Sequence, residues 1–330
     1  MPDPKSPGAL KDFSVDDVSA QLLAKAATSK GLTLSMITKE FYVIEGNGRA
    51  EYFEWTMPAS TSHLAKMACK IKPLAKRFFR QSGVSTPRGL AFTPREVRQA
   101  VEFMRTAGCK KFVLKPADGA LGEMVFMNID SEEKLREKIA QFRKRKPLLL
   151  EEQAEGIECR YFVIGDRVVA VAERKPPEVV GDGRSTIYGL IESKNAGRKG
   201  HLALMMIEAN GETREVLAAQ GLTLDAVPEE GRSIRLKGVS NIAQGGENVD
   251  MTDVVHEDLK ALAVAAFKAI PSLRYAGVDI IAEDHAAPLS GQRAVVLEIN
   301  SSPGFKNHHA PAVGQPRDVA GAIIDHLFFR

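Results

Sequence analysis

Cysteine is scarce in this chain: three in 330 residues, Cys69, Cys109 and Cys159. Their odd number and wide spacing exclude a disulfide scaffold and form no zinc or redox pair, which fits a reducing compartment. Long apolar runs are missing as well. None approaches the roughly 18–20 residues a membrane-spanning helix needs. The first residues carry prolines and acids where a secretory signal would carry an apolar stretch. No excess of one charge sign exists either: 45 Lys and Arg face 42 Asp and Glu, a net +3 spread along the chain. That balance gives no footing for nucleic acid or an anionic membrane as a partner. There is no Walker A loop, no dinucleotide fingerprint, and no convincing nucleophile–base triad. These absences lead us to expect a soluble cytoplasmic protein.

What is present begins with Val295-Val296-Leu297-Glu298-Ile299-Asn300, an apolar run ending at Ser301-Ser302-Pro303-Gly304. It reads as a strand running into a turn. Alternation puts Glu298 and Asn300 on one face. Taken alone, the pair is equally a turn cap or two oxygen donors for a hard cation. Asp279 lies in a second apolar strand, Val278–Ala282, and a polar loop joins the two. An oxygen-only set of Asp279, Glu298 and Asn300 suits Mg²⁺ or Mn²⁺ rather than zinc, and magnesium commonly shares its shell with phosphates.

Phosphate partners are also in place. Lys115 sits inside the apolar run Phe112–Pro116, where an unpaired ammonium would be costly. A small-residue turn holding Gly119 and Gly122 follows; taken alone it reads first as a tight hairpin, but such a turn can also bring backbone N–H groups to phosphate oxygens. The buried run Leu148–Leu150 emerges at Glu151 and Glu152, which are equally an ordinary solvated strand end or acids that accept from a nucleotide's amino or hydroxyl groups.

The rest is scaffold. A helix through about residue 29, strands near 33–37, 41–44 and 51–55, and a Gly46-Asn47-Gly48 turn form a small lead-in. A basic helix over about 62–82 reads as a mostly solvated face, which Pro73 should break. Thr93-Pro94-Arg95-Glu96 is a capping box. His63, His201, His256, His285 and His326 read as surface or helix residues, while His308 and His309 follow the key turn and can reach a substrate. Strands alternating with helices, joined by many hairpins, predict an α/β (α+β) chain with mainly antiparallel sheets.

Eight stretches, in order, resemble one family: Lys72–Lys76, Gly83–Pro87, Phe112–Gly122, Leu149–Arg160, Val168–Gly183, Ser240–Asp253, Gly277–Ile281 and Glu298–Gly304. The sequence resembles the ATP-grasp carboxylate–amine ligases, in the branch of cyanophycin synthetase and the glutathione-synthesising domain of bifunctional glutathione synthetases. The resemblance implies an ATP-grasp fold over 65–330, two lobes gripping ATP with a lid lobe at about 108–150, and a lead-in over 1–64. It implies that Lys76 and Lys115 meet ATP phosphates under a loop containing Gly119 and Gly122. Glu151, Glu152 and the Ala154 backbone would border the adenine, and Glu158 the ribose. Asp279, Glu298 and Asn300 would hold Mg²⁺, and Arg174 would stabilise an acyl phosphate. Arg160, Gly245, Gly246, Ser302, Gly304 and His309 would border the substrate. The implied activity is an ATP-dependent amide ligation of an amino acid or peptide amine. A homodimer is compatible with the resemblance, and a non-ligating nucleotide-binding module or a kinase on the same scaffold are the alternatives. Two departures stand out: Glu123 and Met124 in the phosphate loop, and Gly277 two residues before Asp279, where D-alanine ligases carry an arginine.

Overall fold

The computed structural model describes residues 17–118, 124–142, 146–238 and 245–330. Helix α1 (Val18–Ser29) starts where the Asp17 side chain accepts the Ala20 N–H. A four-stranded antiparallel sheet follows: β1 (Thr33–Met36), β2 (Phe41–Gly46), β3 (Arg49–Glu54) and β4 (Met57–Pro58). Asn47 and Gly48 both have positive φ, 50° and 71°. That is the two-residue turn whose twist matches the flanking strands.

Two helices then run in series, α2 (His63–Lys70) and α3 (Lys72–Gln81), separated by Ile71 in an extended conformation. Pro73 occupies the first turn of α3, where its missing N–H costs nothing. The break expected at this proline therefore falls one residue before the second helix, and it points Lys72 and Lys76, four residues apart, along one helix face.

A second antiparallel sheet, order β5-β8-β6-β7, is made of β5 (Gly89–Phe92), β6 (Phe112–Pro116), β7 (Phe126–Ile129) and β8 (Leu148–Glu152). Helices α4 (Val97–Thr106) and α5 (Glu132–Ile139) cover one side, burying Phe92, Val101, Leu114, Leu135, Leu148 and Leu150. The Thr93–Glu96 capping box forms as expected, just before α4.

The central sheet has order β13-β10-β9-β14-β15, and its named strand pairs are all antiparallel. Its strands are β9 (Ile157–Ile164), β10 (Arg167–Lys175), β13 (Glu247–Asp250), β14 (Tyr275–Ala282) and β15 (Ala294–Asn300). Between β10 and β13 the chain builds a side unit from β11 (Glu178–Val180), α6 (Ile187–Arg198), α7 (Gly211–Ala218) and β12 (Ser233–Arg235), with its own small core around Ile187, Leu217 and Ile234. The chain closes with α8 (Glu257–Ala269) before β14, then α9 (Lys306–His309) and α10 (Val319–Phe328) after β15.

The two faces of the central sheet differ. Cys159, Tyr161, Val163, Val171, Val278, Ile280 and Val296 face α3 and α8 in one apolar cluster. On the opposite face, Phe162, Ile164, Ala170 and Tyr275 pack against α1, the first sheet, Phe305 and α10. The lead-in thus shares a core with the C-terminal helix. Two residues further along β9, the same face turns from Phe162 to Arg160 and Glu158. The side-chain alternation that buries one end of the strand delivers charged groups at the other.

His285 departs from expectation. It is buried, not at the surface. Its Nε2 donates to the Ile157 carbonyl (2.9 Å), which can only accept, so Nδ1 is the acceptor for the Tyr161 hydroxyl at 2.6 Å. This chain of bonds pins the start of β9 one residue from Glu158. Burial pushes the imidazole pKa down and favours that neutral form. His285→Phe should lower stability by about 1–3 kcal/mol, read by urea denaturation, because it strands a buried hydroxyl and a carbonyl.

Candidate active site

Three lysines converge where the second sheet meets α3. The Lys72 N–H donates to the Ala117 carbonyl at 2.9 Å, which ties the start of α3 to the end of β6. Lys76 Nζ lies 2.9 Å from Glu151 Oε2 and donates to Thr86 Oγ1 at 3.0 Å. That hydroxyl donates in turn to the Val296 carbonyl of β15 at 2.8 Å. Lys115 pairs with the other oxygen of Glu151. Burial opposes ionisation of Glu151, but Lys115 and Lys76 outweigh it and hold the carboxyl below its ordinary range. Burial wins at Lys76 and lowers its pKa despite Glu151. At Lys115 burial is overcome by Glu151, Glu298 and Glu158, and the pKa rises.

A second charged group lies on the central sheet. Arg160 and Asp279 are register partners across β9 and β14, and Asp279 and Glu298 across β14 and β15. Arg160 grips Asp279 with two parallel bonds, Nε to Oδ1 at 2.7 Å and Nη2 to Oδ2 at 2.6 Å. Arg174 Nη1 donates to Glu158 Oε1 at 3.0 Å and lies 3.7 Å from Asp279 Oδ2. Burial favours neutral Asp279, yet Arg160 and Arg174 keep its carboxyl ionised, with a pKa below the usual value. Glu158 goes the other way. Burial, with Asp279 and Glu298 nearby, raises its pKa in spite of the two arginines. Lys72 Nζ stands 4.0 Å from Glu298 Oε2 and joins the lysine group to this one.

Gly277 explains how Arg160 reaches across. A Cβ at 277 would lie 3.1 Å from Pro303 Cβ and 3.3 Å from both Cδ and Nε of Arg160. The arginine therefore crosses the space a side chain at 277 would fill. Gly277→Ala should press on Arg160 and Pro303, which must each give by a few tenths of an ångström, and cost about 1 kcal/mol, measured as a fall in Tm.

Asp279, Glu298 and Asn300 lie on adjacent strands of one face, and Gly277 is the register partner of Asn300. All three offer oxygen donors. The Asn300 Nδ2 is buried without a hydrogen-bond partner. Asp279 is nonetheless already neutralised by Arg160. No group of three or more His, Cys, Asp or Glu side chains suited to a metal occurs among the described residues.

Other expected site residues fall as follows. Glu152 does not join Glu151. Neighbours on a strand face opposite ways, and its carboxylate accepts from Arg88 Nε at 2.8 Å, on the far side from the lysines. Glu158 is bound to Arg174 rather than standing open at the strand end. Ala154 lies in the short loop between β8 and β9. Gly245 has φ +91°, and a Cβ there would meet Ile207 at 2.9–3.0 Å, so packing against the side unit explains that glycine. Gly246 is buried beside it, and Ser302 and Gly304 are exposed on the turn after β15. Ser302 Oγ lies 3.0 Å from Thr56 Oγ1 of the lead-in. His309 is turned away from the arginines, and its Nε2 accepts the Ala320 N–H of α10 at 3.1 Å. His308, about 100° round the short helix, is the one near them. Burial, with Arg160 and Arg174 close by, pushes its pKa down to about 3. Gly119 and Gly122 lie outside the described residues.

Sequence reasoning missed Lys72, taken as part of a solvated face. The signal was available in its i,i+4 spacing from Lys76. It also missed Asn248, fully buried, whose Nδ2 donates to the Asn307 carbonyl at 2.5 Å while its Oδ1 has no hydrogen-bond partner.

No protein-family model matches the chain. It is 34% identical over 318 residues to the cyanophycin synthetase of Trichormus variabilis, covering 94% of this chain and 35% of that protein. It is 28% identical over 322 residues to the glutathione biosynthesis bifunctional protein GshAB of Clostridium perfringens, covering 94% and 41%. Among solved structures, a bifunctional glutathione synthetase from Pasteurella multocida superposes with a TM-score of 0.70 at 28% identity, over 94% of this chain and 44% of that one. The fold is the ATP-grasp fold. Within it, the chain is similar to the cyanophycin synthetases and bifunctional glutathione synthetases, and it spans less than half the length of the relatives named here.

Proposed function

We propose that the chain is an ATP- and Mg²⁺-dependent ligase that joins a carboxylate to an amino acid or peptide amine, working in the cytoplasm on small molecules. The observation that carries this reading is the Lys72–Glu298 contact at 4.0 Å. It links a lysine group suited to phosphates with an arginine–carboxylate face suited to an acid.

In the reaction, a carboxylate oxygen of the substrate attacks the γ-phosphorus of ATP, the bond to the β-γ bridging oxygen breaks, and ADP leaves. The amine nitrogen then adds to the acyl carbon. Phosphate departs with the former carboxylate oxygen, and the nitrogen loses a proton to solvent. Phosphoryl transfer asks the protein for alignment and charge neutralisation more than for covalent help. Lys76 and Lys115 neutralise phosphate oxygens, and Arg174 and Arg160 face the acid and its acyl phosphate. Glu298 and Asn300, with Asp279 once Arg160 yields it, are the residues that would hold the divalent cation; when bound, it supplies further neutralisation of the triphosphate.

The test is a panel of amino acids offered in pairs, with dipeptides as additional amines. ADP is measured with and without the amine, and products are read by mass spectrometry. The expected result is ADP release that needs both partners and a product lighter than their sum by one water. ADP release with the acid alone and a stable phosphorylated product would indicate a kinase. ATP binding with no turnover across the panel would indicate a binding module.

A further inference from the structure

We propose that Glu151 is the positioning residue of the phosphate-binding lysines, holding Lys76 and Lys115 charged and side by side independently of any contact with a base. The proposal rests on the reading of this lysine group as a nucleotide site. Glu151, Lys76 and Lys115 are 2%, 2% and 8% exposed, and the single carboxylate contacts both ammonium groups, one on each oxygen. They come from three elements, β8, α3 and β6. Strand alternation selects the arrangement: Val113 is the register partner of Glu151 and Lys115 that of Leu149, so Lys115, Leu149 and Glu151 share the inward face.

Two buried ammonium groups repel each other, and burial by itself disfavours their charged forms. The other charges acting on them are Glu298 on β15, Glu158 on β9 and Lys72 on α3, with Asp118 acting through Lys72. Glu151 is the carboxylate in direct contact with both. A Glu151 that served only as an acceptor for a base would leave both lysines without it. Its Oε2 is ion-paired to Lys76 at 2.9 Å with no well-directed hydrogen bond. The two roles are compatible, and a ligand without a base separates them.

The experiment is calorimetric titration of wild type, Glu151→Gln and Glu151→Asp with inorganic tripolyphosphate, with adenosine and with ATP, at about pH 6.5 and 8.5. We expect wild type to bind tripolyphosphate and Glu151→Gln to bind it more weakly. The ratio of the two affinities should grow about tenfold from the lower to the higher pH, as lysines without their carboxylate lose protons. Glu151→Asp keeps the charge but cannot reach both lysines, so it should bind tripolyphosphate several-fold more weakly with no such growth. If Glu151→Gln does not fold, the Glu151→Asp comparison decides. Unchanged tripolyphosphate affinity and pH profile in the variants, with only adenosine weakened, overturns the proposal and leaves Glu151 as a base acceptor. A wild type that binds neither tripolyphosphate nor ATP overturns the nucleotide-site reading, and this assignment with it.

Discussion

Lys115→Met is expected to lower kcat/KM for amine-dependent ADP formation by about 10²–10³-fold or more while leaving the protein folded. The size follows from the chemistry. Removing one fixed donor from a developing oxyanion costs about 2.7–4 kcal/mol, and a lysine shielded from solvent loses little of its charge effect to screening. The fold should survive because Glu151 keeps Lys76 as a partner at 2.9 Å, so no carboxylate is left unpaired. Glu298→Ala should show a loss of the same order for a different reason: it removes the oxygen donor that faces both the lysines and Asp279. Steady-state kinetics beside a thermal melt checks both variants. Turnover within about threefold of wild type in either would contradict the site assignment.

Arg160→Ala has the largest expected effect on stability. Asp279 is 1% exposed and gripped through both oxygens. Breaking such a pair from one side leaves a buried charge and typically costs about 3–5 kcal/mol. Arg174, at 3.7 Å, holds the loss toward the lower end. The pH dependence has a definite sign. In wild type the Asp279 pKa is lowered, so its contribution is present above the unfolded-state value of about 3.9 and is lost as pH falls through the folded value. In Arg160→Ala the balance of burial and Arg174 reverses, the Asp279 pKa rises, and the folded state gains by taking up a proton. The deficit relative to wild type should therefore shrink as pH is lowered from about 7 toward 5. Urea denaturation at both values measures it. A deficit below about 1 kcal/mol, or one that does not vary with pH, would show that Asp279 is not held by this pair.

The differences between sequence and structure concern pairing rather than chemistry. Glu298 and Asn300 were legible because alternation along one strand is a local property, and Lys115 because an ammonium in an apolar run demands a partner. The identity of that partner was not legible, since β6 meets β8 across a separate helix. Nor could local pattern show that Arg160, 119 positions from Asp279, becomes its register partner. Gly277 looked like a missing arginine in sequence; in space it is the opening through which a neighbouring strand supplies one. Parity alone separates Glu151 from Glu152. His308 and His309 differ by one helical step, and a four-residue helix is too short to announce its phase. The lead-in boundary near residue 64 reads as a division in sequence, yet Leu23, Phe53, Tyr275 and Ile324 belong to one core.

The central claim is that the proposed site activates a carboxylate by phosphorylation and passes it to an amine. The direct measurement uses the acid identified in the pairwise screen, with ¹⁸O in its carboxylate, and reads the released orthophosphate by ³¹P NMR. The account predicts that each phosphate formed in the presence of amine carries one oxygen from the acid. Unlabelled phosphate, or phosphate released at the same rate without amine, would contradict it.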